Sequence, residues 1–147
     1  MKRACSILLC LMLLPCAFAQ KLEKPVAGSK LRKTILDTLR PSVEKDLKQK
    51  VVFKVSQLRV YGEWALVFAE TVKPDLKPID FKKTHYREDL EQGMFDGPST
   101  FALLRKSKGK WVVRTFCIGP TDVAWSNWME APFNAPKPLF PPPFGEK

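Results

Sequence analysis

The chain has 147 residues, 45% of them hydrophobic and 27% charged, and a formal net charge of +10 at pH 7. This length limits the protein to one ordinary domain with a core of its own. After residue 19 no apolar run approaches the roughly 20 residues of a membrane span, so we expect no transmembrane segment.

Residues 1–19 have the pattern of a signal peptide. They read MKRACSILLCLMLLPCAFA, with a basic start at Lys2 and Arg3, an apolar stretch, and a small-x-small cleavage signature that ends at Ala19. We therefore expect cleavage near Ala19 and a periplasmic or secreted mature protein. The alternative is a lipoprotein anchored through Cys16, although the preceding LLP lacks the small residue expected before an acylated cysteine.

Cleavage changes the cysteine count and the charge. It removes Cys5, Cys10 and Cys16, so Cys117 becomes the one remaining cysteine, and the loss of Lys2 and Arg3 lowers the net charge from +10 to +8. An internal disulfide is then impossible, and we expect core packing to supply the stability.

The first predicted element of the mature chain is a helix within residues 28–47. Leu31, Ile35 and Leu39 recur every four residues, which lines one face of a helix, and Ser29 precedes them as an N-cap. Pro41 is expected to kink or end this helix, and Ser42 to cap a second short turn.

Two hairpins of β-branched and aromatic residues follow. Residues 51–72 are interrupted at Tyr61-Gly62-Glu63, and the second arm is apolar on both faces, which predicts a central strand. The second hairpin has arms at residues 101–106 and 110–118 around Ser107-Lys108-Gly109. Between the hairpins, residues 73–99 mix both charge signs with three prolines, and we expect a functional or flexible loop there.

The chain closes with a short helix and a proline-rich tail. Thr121 is the predicted N-cap of a helix that holds Trp125, Trp128 and Met129, and residues 131–147 read APFNAPKPLFPPPFGEK. We therefore divide the chain into the signal peptide 1–19, one domain at 20–131 and a tail at 132–147. The tail either wraps the domain with its apolar side chains, Phe144 included, or hangs free.

This order of elements resembles two known α+β folds. One amphipathic helix followed by an antiparallel sheet is similar to the cystatin-like and NTF2-like folds, which implies an N-terminal helix packed on a curved antiparallel sheet of about four strands. The segments ILDTLRPSVEKDL, FKVSQLRVYGEWALVFAE, FALLRKSKGKWVV and GPTDVAWSNW also look like a family of uncharacterised exported bacterial proteins. That resemblance covers most of the mature chain and implies export without an activity or catalytic residues.

Cys117 admits an enzymatic hypothesis and a structural one. In strict alternation it shares a strand face with Trp111 and Val113, which favours a small buried hydrophobe. The enzymatic alternative is a hydrolase or transferase in which His85, the one histidine, takes the proton of the Cys117 thiol. Asp80 or Asp89 would then orient the imidazole. The local sequence contains these groups but no motif that joins them.

The sequence contains no pattern typical of a metal site or of another catalytic site. One histidine without a cysteine pair gives no zinc ligand set, and the aspartates of residues 75–96 lack regular calcium-ligand spacing. Glu88, Asp89 and Glu91 are typical of solvated loop charge rather than of a glycosidase pair. We expect no cofactor and no metal, and the sequence favours a binding protein over an enzyme.

Basic residues are concentrated on the helix and the sheet. The candidate binding residues are Lys30, Arg32, Lys33, Arg105, Lys106, Lys108 and Lys110. Such a field favours an anionic partner, for example an envelope polymer, lipid head groups or an acidic protein. Nucleic acid is not expected, because the aromatic residues alternate with aliphatic ones and not with the basic clusters. The alternative is that the charge serves solubility alone.

The function hypothesis is therefore a non-enzymatic binding or accessory protein of the bacterial cell envelope. Its contact surface would be the concave sheet or the proline-rich tail, since such segments lose little entropy when a partner docks.

Overall fold

The structure is a computed structural model that describes residues 20–142. The predicted signal peptide, the alternative anchor at Cys16 and the tail residue Phe144 lie outside the described residues. Within them, one long helix packs on a five-stranded antiparallel sheet, so the α+β class is confirmed.

Helix α1 spans Lys30–Leu47 and begins where the sequence predicts. The Oγ of Ser29 accepts a hydrogen bond from the backbone N–H of Arg32 at 3.3 Å, so Ser29 is the N-cap. The helix does not end at Pro41, and Ser42 lies inside it. The prediction of a second short turn capped by Ser42 is therefore wrong. Proline removes one helical hydrogen bond, but the buried residues of α1 on both sides of it pack against the sheet and hold the helix together.

The sheet has five strands rather than about four, and it is open. In chain order they are β1 (Leu22–Glu23), β2 (Val52–Tyr61), β3 (Trp64–Val72), β4 (Ser99–Ser107) and β5 (Lys110–Ile118). Each strand pairs with the next, so the spatial order is the chain order. The additional strand is β1, which pairs with residues 60–61 and is too short to show an alternating pattern.

The two predicted hairpins are confirmed. Their turns are Gly62-Glu63 and Lys108-Gly109, and β3 occupies the centre of the sheet. Residues 65–69 of β3 are buried without interruption, as expected for a strand that is covered on both faces.

Two β-bulges decide which side chains share a face. Ser56 is the extra residue of β2 and Arg114 is the extra residue of β5, because each strand skips one position in its register with the neighbouring strand. A bulge reverses the in-and-out phase for the rest of its strand.

The second bulge corrects the face predicted for Cys117. Trp111 lies on the helix side of the sheet together with Ile118, whereas Cys117 lies on the opposite side. The expected grouping of Cys117 with Trp111 and Val113 is therefore wrong. It assumed unbroken alternation, and the extra residue at Arg114 breaks it.

The connection between the hairpins closes one end of the helix-side core. It contains a 3-10 helix at Phe81–Lys83 and the short helix α2 at Arg87–Glu91. Ile79, Phe81 and Phe95 are buried among the core side chains of α1 and the sheet.

The C-terminal part of the described chain covers the other face of the sheet. A 3-10 helix at Ala124–Met129 begins after Val123, so Thr121 is not its N-cap as predicted. Residues 132–142, here called the C-terminal strap, follow it. Leu139 and Phe140 of the strap are wholly buried, in a second apolar cluster with sheet residues.

Arg59 fastens the strap to the sheet. It lies on β2 and is only 4% exposed. Its Nε donates a hydrogen bond to the carbonyl of Leu139 at 2.7 Å, and its Nη2 donates to the carbonyls of Phe140 at 3.1 Å and Pro138 at 3.4 Å. The strap forms a short 3-10 helix at Lys137–Leu139, and Arg59 satisfies three carbonyl groups at its C-terminal end.

Candidate anion-binding surface

Four of the candidate basic residues surround the turn between β4 and β5. Lys108 and Gly109 both have positive φ, 50° and 77°, which is the conformation of a tight type I′ turn. Arg105, Lys106, Lys108 and Lys110 are all exposed there. The backbone N–H of Lys106 also donates to the carbonyl of Glu63 at 2.7 Å, which ties this turn to the β2–β3 turn.

Two tryptophans support the basic side chains from opposite faces of the sheet. The Cζ of Arg105 lies 4.9 Å from the centroid of the Trp64 ring, and the Nζ of Lys106 lies 5.5 Å from that of Trp111. Cations over tryptophan faces are attracted by the ring quadrupole. The rings therefore restrict these two side chains while their charges stay in contact with water.

Arg114 joins the same surface, in addition to the residues predicted from the sequence. A cleft of about 370 Å³ is lined by Arg105, Lys106, Ser107, Val112 and Arg114. The bulge makes Arg114 an extra residue opposite Leu103 and Leu104, further along the hairpin from the turn. A signal was present in the sequence: Trp111 and Val113 are followed by apolar residues at 116 and 118, a break in the period of two.

This surface carries little compensating charge. We call Arg105, Lys106, Lys108, Lys110 and Arg114 the hairpin cations. Among residues 20–142, the one carboxylate within 4 Å of them is that of Glu63, at 3.9 Å from Arg105, and both side chains of that pair are at least half exposed. Exposed pairs of this kind contribute little free energy. The positive field of the hairpin therefore points into solvent.

The remaining candidates, Lys30, Arg32 and Lys33, lie in the first turn of α1 and do not join the hairpin cations. The Nζ of Lys33 pairs with the carboxylate of Asp37 at 2.5 Å, and Arg40 pairs with the same carboxylate. Hydrogen bonds from these two cations lower the pKa of Asp37. The charge of Lys33 is thus partly compensated on the helix itself.

His85 and Cys117 lie in different surroundings. The Nε2 of His85 is 3.9 Å from a carboxylate oxygen of Asp46 on α1, and its ring stacks on Tyr86 at 4.0 Å between centroids. Cys117 packs in the strap-side cluster. Within residues 20–142, no hydrogen bond joins His85 to Cys117.

Of the two proposed orienting carboxylates, Asp80 has another partner. Asp80 pairs with Lys83 at 3.2 Å, and the helix residue Asp46 is the acid beside His85. Asp46 in addition accepts a hydrogen bond from the hydroxyl of Tyr86 at 2.9 Å. Burial and that carboxylate raise the pKa of Tyr86. The contacts of Tyr86 and His85 with Asp46 attach the connection to α1.

The environment of Cys117 opposes thiolate formation. Burial raises the pKa of its thiol to about 11, and a backbone hydrogen bond from Phe101 only partly offsets this effect. A nucleophilic cysteine has instead a lowered pKa. The described surroundings of Cys117 are those of a packed hydrophobe.

No group of three or more histidine, cysteine, aspartate or glutamate side chains within residues 20–142 is arranged to hold a metal ion. None of the helices found there has the length and apolar character needed to cross a membrane.

No known protein family, no curated protein and no solved structure matches this chain.

Proposed function

We propose that the protein is a non-enzymatic binding protein of the bacterial cell envelope and that the hairpin cations contact an anionic polymer. The observation that carries the proposal is five exposed cations on one hairpin, with a single carboxylate within 4 Å of them among the described residues. The predicted signal peptide and the resemblance to exported proteins support the location. The proposed fold type is a cystatin-like or NTF2-like curved sheet.

A polymer suits this surface better than a lipid bilayer or a compact ligand. The cleft lies between side chains that emerge from both strands of the hairpin. Its one large exposed hydrophobic residue is Val112, which offers little area to insert between acyl chains. Repeated charges along a polymer can instead meet separate cations one after another.

The test compares two variants with equal loss of charge. The hairpin variant carries Lys106→Gln, Lys108→Asn, Lys110→Gln and Arg114→Gln. The control variant carries Lys21→Gln, Lys45→Gln, Lys48→Asn and Lys82→Gln, all at exposed positions outside the hairpin. The asparagines replace Lys108 and Lys48, whose φ angles are 50° and 53°, so both variants place asparagine in the same backbone conformation.

Binding is measured by fluorescence anisotropy with labelled polyphosphate and polyglutamate, which represent phosphate and carboxylate polymers. We expect the hairpin variant to bind at least about tenfold more weakly than the unmodified protein and the control variant to lose less than about threefold. Equal losses would mean that net charge alone governs binding. In that case the basic composition serves solubility or unspecific attraction, and the proposal fails.

A further inference from the structure

A second cleft opens at the β1–β2 edge of the sheet, away from the hairpin cations. Its volume is about 410 Å³. Within the described part of the chain, four segments line it: residues 24–25, Arg32 of α1, residues 56–59 of β2 and residues 141–142 of the C-terminal strap. A cleft of this size holds a small molecule and not a folded partner.

Arg32 is oriented along one wall of this cleft. Its Nη1 donates a hydrogen bond to the carbonyl of Pro25 at 3.2 Å, and Pro25 is itself a lining residue. Within residues 20–142 this is the one hydrogen bond of the Arg32 side chain. A guanidinium group carries five N–H donors in a fixed plane, so most of its donors remain for solvent or a ligand.

The other walls determine which chemistry fits. Three of the described lining residues are prolines, at 25, 141 and 142, and proline has no backbone N–H to donate. Side-chain donors come from Arg32 and from Gln57 beside the β2 bulge, whereas the hydroxyl of Ser56 already donates to the carbonyl of Phe68 at 3.0 Å. Among the described lining residues Lys24 and Arg59 are also basic, and none of those described is acidic.

We propose that this cleft is a separate site for a small molecule that bears a carboxylate or a phosphate group, with the Arg32 guanidinium as its principal contact. Two parallel N–H donors of a guanidinium match two oxygens of either anion. Arg59 gives the site a fixed floor, because its own hydrogen bonds to the strap hold it in place. This site is separate from the hairpin cations, which lie on β4 and β5 at the opposite edge of the sheet.

The test follows the Nε–Hε resonance of Arg32 and the backbone amides of residues 56–59 by NMR. The protein is titrated with inorganic phosphate and, separately, with glutarate, while sodium chloride keeps the ionic strength constant. We expect a saturable shift of these resonances, and the probe that saturates at the lower concentration identifies the preferred anion. Arg32→Gln is expected to weaken binding at least about tenfold, because it removes the fork of donors.

Arg40→Gln is the matched control, since Arg40 lies on the same helix and pairs with Asp37 outside this cleft. It should leave the affinity within about twofold. Shifts that never saturate, or that persist in Arg32→Gln, would overturn the proposal. The proposal would also fail if Glu146→Gln changed the chemical shift of Arg32 as much as phosphate does. The cleft would then bind the carboxylate of Glu146 and not a separate molecule.

Discussion

The Nε of Arg59 and the carbonyl of Leu139 are 80 positions apart in sequence and 2.7 Å apart in space. This hydrogen bond joins the sheet to the C-terminal strap. The side chains of Leu139 and Phe140 are wholly buried in a cluster with sheet residues, so the proline-rich segment completes a second core, one of the two alternatives that the sequence leaves open. The strap is therefore part of the structural unit.

Replacement of Arg59 by Met should remove the donors while keeping much of the side-chain volume. The three strap carbonyls would lose charged hydrogen bonds in a buried place, at a cost of about 2–4 kcal/mol in the free energy of unfolding. Urea denaturation measures this cost. Arg114→Met, at an exposed position, is the control and should change stability by less than about 0.5 kcal/mol. Equal values for both variants would mean that the strap does not depend on Arg59.

The strap itself should contribute strongly to stability. Phe140 has no exposed surface and lies 6.1 Å from Trp125, ring centroid to ring centroid. Phe140→Ala should therefore lower the free energy of unfolding by about 3–5 kcal/mol, and removal of residues 132–147 should lower the melting temperature by more than about 10 °C. Met94→Ala, at an exposed side chain, is the control. A deletion that leaves the melting temperature unchanged would show a free tail.

Gly119 should not tolerate a side chain. Its φ is 62°, and a Cβ atom there would overlap the ring of Phe95. Gly97 has a similar φ of 73° but open space around it. Gly119→Ala should therefore cost about 2–4 kcal/mol and Gly97→Ala about 1 kcal/mol, as measured by thermal unfolding. If both substitutions cost the same, the contact between Phe95 and the end of β5 is not as described.

Cys117 should react slowly with thiol reagents in the native protein. Burial raises the pKa of its thiol to about 11, so the thiolate fraction near neutral pH is lower than in the unfolded chain. The native labelling rate should keep rising by about tenfold per pH unit beyond pH 9, whereas the unfolded rate should level off near an ordinary thiol pKa of about 8.5. Rapid native labelling that persists at low pH would instead revive the hypothesis of a Cys117–His85 enzyme.

The periodicity of the sequence predicted where the helix and the hairpins lie better than it predicted which side of the sheet each side chain faces. The four-residue spacing of α1 and the glycine-containing turns are local signals, so the helix and both hairpins follow from the sequence. The bulges at Ser56 and Arg114 depend on pairing between strands, and strand β1 exists only because residues 60–61 offer it an edge. These features are tertiary, and a period of two cannot reveal them in advance.

The candidate site was predictable to a similar extent. Four of the hairpin cations stand close together in the sequence, and a hairpin turn keeps neighbours together in space. Arg114 required knowledge of the bulge. The second cleft combines α1, β2 and the strap, so the role of Arg32 beside residues 141–142 follows only from the folded chain.

The most direct test of the polymer-binding surface is to map where polyphosphate contacts the native protein by amide chemical-shift changes in NMR spectra. The proposed function predicts the largest changes at residues 105–114, with smaller ones elsewhere, and their loss in the hairpin variant but not in the control variant. Changes spread over the whole basic surface, or centred on the first turn of α1, would contradict it.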